Sequence, residues 1–235
     1  FLYAAALENG VMPETVVNDA PLTVGNWSPS NADGQFDGPM PLHTALAKSK
    51  NMVSIRLVQL MGPQAARTWT GRYGFEVDKQ PDNLTLALGA GSTTPLQLAS
   101  AYAVIANGGL KVNPLVISKI TDGAGKVVFE ASPKVPDESD RVIPARNAFV
   151  TGTLLNEVAR SGTAAKAQAQ LRRPDLYGKT GTTNDVYDAW FAGFQPHRGA
   201  VVWLGYDTPR SLGSHASGSS LALPAWIQFM GTALA

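Results

Sequence analysis

Lys179-Thr180-Gly181-Thr182 is the sharpest chemical feature of this 235-residue chain. It ends a run from Leu176 that reads as a strand, and a Lys-Thr-Gly triplet arises by chance in roughly one chain in twenty of this length. Taken alone it could be a strand end with a solvated lysine and a glycine turn. Phosphate binding is the first chemistry to consider, because Gly178-Lys179-Thr180 spells the end of a phosphate-binding loop. That loop needs a glycine six positions before its lysine, where this chain has Arg173 followed by Pro174. Gly89-Ala90-Gly91 begins like a dinucleotide fingerprint, but its third glycine position holds Thr94 and no strand–helix–strand unit surrounds it. A Ser-His-Asp triad has no G-x-S-x-G elbow to build on, and His215 lies in a Gly/Ser-rich stretch. Ser49-x-Asn51 is weak by itself, since two turn formers suit a break between helices. It gains weight from an expected helix on each side and from the later Lys-Thr-Gly strand.

The elements that must position these residues follow from periodicity and punctuation. Residues 1–9 read as a helix stopping at Gly10, and residues 11–38 as loop, broken by prolines and glycines. A helix is predicted from Pro39 to about Lys48, a second from the 49–51 break through Met61, and a third near 64–73. Thr94-Pro95-Leu96-Gln97 is a helix start, with Thr as N-cap, Pro in the first turn and Gln three residues on. Residues 114–131 read as a hairpin around Asp122–Gly125, and 145–160 as a helix. The segments Leu176–Thr182, 187–194 and 199–207 predict an antiparallel meander, and 221–234 a closing apolar helix. Strands clustered late between helices give an α+β fold. Trp190, Phe191, Trp203 and Trp226 are expected in the core, Trp27 is a candidate cleft wall, and Lys50 is expected to face solvent.

Composition narrows the function classes. Hydrophobic residues make up 44% and charged residues 16%, which suits a packed domain and excludes a disordered chain. A formal net charge of +1 with no basic cluster among aromatics argues against nucleic-acid binding. With no cysteine and three scattered histidines, thiolate chemistry is ruled out and neither a metal site nor a cofactor is expected. No apolar run reaches the eighteen or so residues of a membrane span.

Ser-x-Asn and Lys-Thr-Gly are two of the three motifs of penicillin-recognising serine enzymes. Their neighbourhoods extend the match in order along the chain: FLYAAALE, WSPSN (27–31), ALAKSKNMVSIR (45–56), GAGSTTPLQLASAYA (89–103), VARSGTAAKA (158–167), KTGTTND (179–185) and DAWFAGF (188–194). The chain thus resembles the transpeptidase domain of class A, bifunctional penicillin-binding proteins of the 1A type. The resemblance implies an antiparallel sheet flanked by helices on both faces, with an all-helical subdomain, and one transpeptidase domain over 1–235. The family's first motif, Ser-x-x-Lys, is absent, because no serine here has a lysine three residues on. The nucleophile and the amino-terminal part of the domain are therefore expected upstream of Phe1.

The resemblance further implies D,D-transpeptidation of peptidoglycan stem peptides ending in D-Ala-D-Ala, through a serine acyl-enzyme that β-lactams also form. Ser49 would relay a proton to the leaving amine. Asn51 would bind the substrate carbonyl and help fix the motif lysine, and Lys179 would add positive potential. Thr180 and Thr182 would bind the substrate carboxylate, Gly181 would admit the substrate backbone, and the Thr182 N–H would serve the oxyanion hole. A membrane-anchored parent with a periplasmic domain, a glycosyltransferase activity and cell-wall synthesis partners is implied as well. A D,D-carboxypeptidase and a serine β-lactamase share the motifs, and a non-catalytic penicillin sensor or scaffold is the alternative of a different class, distinguished by whether the upstream serine is present. All the catalytic readings require Ser49, Asn51 and Lys179 to meet in one cleft beside the start of the first helix.

Overall fold

A computed structural model describes residues 1–235 as eight α-helices and seven strands in three antiparallel sheets. The first half is α1 (Leu2–Glu8), a ribbon of β1 (Val16–Asp19) with β2 (Gly38–Pro41), and then α2 (Leu42–Ala47), α3 (Asn51–Met61) and α4 (Pro63–Thr70). The ribbon corrects the expectation of loop through 38. Its strands are too short and proline-broken for an alternating pattern, and it delays the helix predicted from Pro39 until Leu42. Next come α5 (Pro95–Ala106), a hairpin of β3 (Lys119–Thr121) with β4 (Val127–Glu130), and α6 (Ala145–Ser161). The Thr94 cap is formed as expected, its hydroxyl accepting from the Gln97 N–H while Gln97 Oε1 accepts from the Thr94 N–H. The hairpin is exposed along both strands. A helix not anticipated, α7 (Ala165–Leu171), precedes the meander β5 (Tyr177–Thr182), β6 (Ala189–Gln195) and β7 (Arg198–Leu204). The chain closes with α8 (Leu223–Ala233).

The sheet order β5-β6-β7 buries the middle strand on both faces and leaves β5 with one unpaired edge. This is why β6 reads as a nearly continuous apolar run. Phe191 packs on one face against Trp226, Leu223 and Met230 of α8 and Ala167 of α7. Phe194 packs on the other against Val104 and Ile105 of α5 and Leu155 of α6. Helix α6 serves both clusters, because its buried positions recur at helical spacing from Asn147 to Ala159. A third cluster joins α1, α2 and α3 through Ala6, Leu42, Val53 and Leu57. Phe191 and Trp226 are core, as expected, but Trp190 is only half-buried and Trp203 is exposed. The Trp203 indole N–H donates to Asp188 at 2.8 Å, a polar partner that a surface tryptophan can satisfy.

Candidate active site

The Ser49-Lys50-Asn51 break is a helix C-terminus in which serine stands where glycine is usual. At the end of α2 the Lys50 N–H bonds back to the Ala45 carbonyl and the Ser49 N–H to the Leu46 carbonyl, the paired bonds of a Schellman motif. Closing it requires a left-handed residue, and Ser49 takes φ = +58°. An L-residue with a side chain pays about 1–2 kcal/mol for that conformation. Such strain persists only where the surroundings over-determine it, and it concentrates at functional sites. Helix α3 then begins directly at Asn51.

Across a cleft of about 1130 Å³, Lys179 Nζ donates to Ser49 Oγ at 2.7 Å and to the Thr180 carbonyl at 3.1 Å. Lys179 lies on β5, whose unpaired edge borders the same space, and desolvation pushes its ammonium down to about 8. The Asn51 amide donates to the Ser30 carbonyl at 2.9 Å, which leaves its second N–H uncommitted. Thr180 and Thr182 also line the cleft, and the Thr182 hydroxyl accepts from the Gly218 N–H at 2.9 Å. Gly218 lies so close to β5 that a Cβ there would come within 2.5 Å of the Gly181 carbonyl. Phe1, Leu2 and Tyr3 form another wall, so the amino end of α1 borders the cleft together with Ser49, Asn51 and Lys179. The six residues singled out in the sequence therefore share one space, although the two motifs are 130 residues apart.

Two features of the site went unread in the sequence. Thr163, in the turn after α6, shares a hydrogen bond with the Thr180 hydroxyl at 2.8 Å. It lies inside the VARSGTAAKA segment, but nothing local marks it as facing the cleft. Gly162 beside it abuts the end of α2, because a Cβ there would overlap the Ala47 backbone carbonyl. The second feature is Lys50, which is 3% exposed rather than solvent-facing. Its ammonium meets Asp33 at 3.1 Å, Asp37 at 3.3 Å and the fully buried Asp19 at 3.5 Å. Its sequence position gave no warning, since the three carboxylates come from a different stretch of chain.

A Lys-Thr-Gly edge strand facing a Ser-x-Asn helix break across one cleft defines the class of penicillin-recognising serine enzymes. The family "Penicillin binding protein transpeptidase domain" matches residues 1–224, and the chain belongs to that family. Penicillin-binding protein 1A of Neisseria flavescens is 43% identical over 242 residues, covering 100% of this chain and 30% of the relative. Penicillin-binding protein 1A of Pseudomonas aeruginosa is 38% identical, covering 100% of this chain and 35% of the relative. The chain thus spans about a third of the length of such relatives. Among solved structures, penicillin-binding protein 1A of Haemophilus influenzae superposes with a TM-score of 0.93 at 35% identity, over 100% of this chain and 41% of that one. PonA1 of Mycobacterium tuberculosis in complex with penicillin V gives 0.78 at 29% identity, over 99% of this chain and 66% of that one. No helix here is long and apolar enough to cross a membrane.

Proposed function

We propose that this domain is the acyl-transfer part of a D,D-transpeptidase that cross-links peptidoglycan stem peptides and is acylated by β-lactams. The observation that carries the proposal is the Lys179–Ser49 contact in the cleft beside the β5 edge. The nucleophile belongs to a Ser-x-x-Lys segment outside these 235 residues, because no serine here has a lysine three positions on. That serine oxygen attacks the carbonyl carbon between the two terminal D-alanines. The C–N bond breaks, D-alanine leaves as the amine, and the acyl group remains on serine as an ester. An amine of a second stem then attacks the ester, forms the cross-linking amide and returns the serine hydroxyl.

Ser49 is suited to deliver the proton to the departing nitrogen. Protonated Lys179 has no acceptor, so in their contact Lys179 donates and the Ser49 hydrogen is free to point at substrate. Asn51 offers its uncommitted N–H to the substrate carbonyl. Thr180 and Thr182, with Lys179 beside them, hold the substrate carboxylate, and the Thr182 N–H is one donor to the oxyanion. The donor peptide adds a strand to the free edge of β5, where Gly181 keeps the approach open. Its likeness to penicillin-binding proteins 1A supports a domain on the outer side of the cytoplasmic membrane, in a membrane-anchored protein that also carries glycosyltransferase activity and meets other cell-wall synthesis proteins.

Peptide mapping of the complete protein after treatment with labelled penicillin tests the reading. The adduct is expected on the serine of a Ser-x-x-Lys segment and not within 1–235. An adduct on Ser49 would overturn the role given to it, and steady hydrolysis of penicillin would favour a β-lactamase.

A further inference from the structure

We infer that Lys50 is a positioning residue for acyl transfer, acting through a buried ion network that holds the Ser49–Asn51 turn against the 30–37 loop. The inference rests on the acyl-transfer reading of the cleft and adds to it a residue that touches neither substrate nor nucleophile. Ser49 and Lys50 are neighbours, yet their side chains serve different partners: Ser49 meets Lys179, and Lys50 turns into a pocket of carboxylates. The Lys50 ammonium donates to Asp33 Oδ2 and to the Gln35 carbonyl and lies beside Asp19 and Asp37.

The network ties the turn to the end of β1 and to the 30–37 loop. Asp19, at the end of β1, is wholly buried and accepts from the Asn31 amide at 2.8 Å and from the Asp37 N–H at 2.9 Å. Asn31 in turn accepts from the Met52 N–H in the first turn of α3 at 3.3 Å. Asn51 reaches the same loop through Ser30. Lys48 closes the outer side on Asp37 at 2.9 Å. The motif turn is therefore fixed from behind at three consecutive residues, 50, 51 and 52.

That anchorage answers a problem set by Ser49. A serine at φ = +58° relaxes toward an ordinary helical or extended conformation unless both flanks are held. The Schellman bonds hold the α2 side, and on the other side the deep point of attachment is Lys50. A displacement of about 1 Å of a proton-relaying group costs up to about a hundredfold in rate. The network thus keeps the Ser49 hydroxyl at Lys179 without contributing any atom to the reaction.

Two variants of the complete protein test this. Asp33 and Asp37 are partly exposed, with side chains 58% and 33% accessible, and Asp33→Asn/Asp37→Asn leaves the buried Asp19–Lys50 pair to support folding. Lys50→Met/Asp19→Asn removes the anchor without stranding a buried carboxylate. For each, the dissociation constant of the initial penicillin V complex and the first-order acylation constant are measured separately, beside the melting temperature. The acylation constant is expected to fall about tenfold in the first variant and about a hundredfold in the second, with the initial complex changed by less than about threefold. A parental acylation constant in Asp33→Asn/Asp37→Asn overturns the inference, as does a loss confined to the initial complex, which would make Asp33 a ligand contact. If Lys50→Met/Asp19→Asn does not fold, the first variant decides alone. A parent protein that penicillin V fails to acylate would instead refute the acyl-transfer reading, and this inference with it.

Discussion

Lys179 Nζ and Ser49 Oγ lie 2.7 Å apart, joining an edge strand to a helix break across 130 residues of chain. The bond is charge-assisted and half-buried, so each partner constrains the other. Lys179 is held near Ser49 at a cost in solvation, and Ser49 is held near Lys179 at a cost in backbone strain. Both costs are measurable.

The first is expected to show in the pH dependence of stability. Desolvation lowers the Lys179 pKa from its ordinary 10.5 to about 8. Between those values the unfolded chain keeps the proton and the folded chain releases it, so stability rises with pH across that window. Below pH 8 the full penalty is present. Lys179→Met removes it, and after loss of the Ser49 bond the variant is expected to be about 1–2 kcal/mol more stable than the parent at pH 7. Denaturant melts at pH 7 and pH 10 check this, and a variant markedly less stable at pH 7 would contradict it.

The same group sets an alkaline limb in reactivity. Protonated Lys179 orients Ser49 and supplies positive potential, so acylation by penicillin is expected to decline above pH 8 with an apparent pKa near that value. Lys179→Arg keeps the charge at all accessible pH and should remove the limb while lowering the rate. A limb unchanged in Lys179→Arg assigns the titration to another group.

Strain at Ser49 separates stability from function. Ser49→Ala keeps the left-handed conformation and loses the hydroxyl, whereas Ser49→Gly loses the hydroxyl and relieves the conformation. Acylation is expected to fall about a hundredfold or more in both. Ser49→Gly should melt higher than Ser49→Ala, by about 1 kcal/mol. Equal melting temperatures would mean that the turn carries no strain.

Gly162 tests the scaffold behind the turn. A methyl group there overlaps the Ala47 carbonyl, a backbone atom two residues before Ser49. Gly162→Ala is expected to cost about 1–3 kcal/mol and to slow acylation, because relief requires α2 or the end of α6 to move. An unaltered melting temperature would show that the contact yields freely.

Thr163 should affect binding more than chemistry. Its hydroxyl is the protein partner of Thr180, which is proposed to hold the substrate carboxylate. Thr163→Val is expected to weaken the initial penicillin complex about fivefold, the worth of one hydrogen bond of about 1 kcal/mol, with the acylation constant nearly unchanged. Separate measurement of the two constants decides.

The sequence was most legible where local chemistry dictates structure. The Thr94-Pro95-Gln97 cap, the amphipathic run from 145 to 161 and the late meander are set by hydrogen-bonding groups and periodicity within a few residues. The helix break at 49–51 was legible for the same reason, and the two motifs named the family. Residues 16–19 and 38–41 were not legible as strands, because each is defined by a partner about twenty residues away rather than by its own pattern. Trp203 looked like core because aromatic residues on strands usually are, yet Asp188 gives it a polar partner at the surface.

Lys50 marks the boundary most clearly. Its neighbours Ser49 and Asn51 could be assigned from residue type and spacing, because a motif records which groups a reaction needs. Whether the lysine between them meets water or three carboxylates depends on where the chain from Asp19 to Asp37 passes. Burial of a charge is decided by the long-range packing that brings its counter-charges, and no local pattern encodes that packing. The sequence by itself determined the groups that the chemistry needs, and only the tertiary structure decided which groups hold them in place.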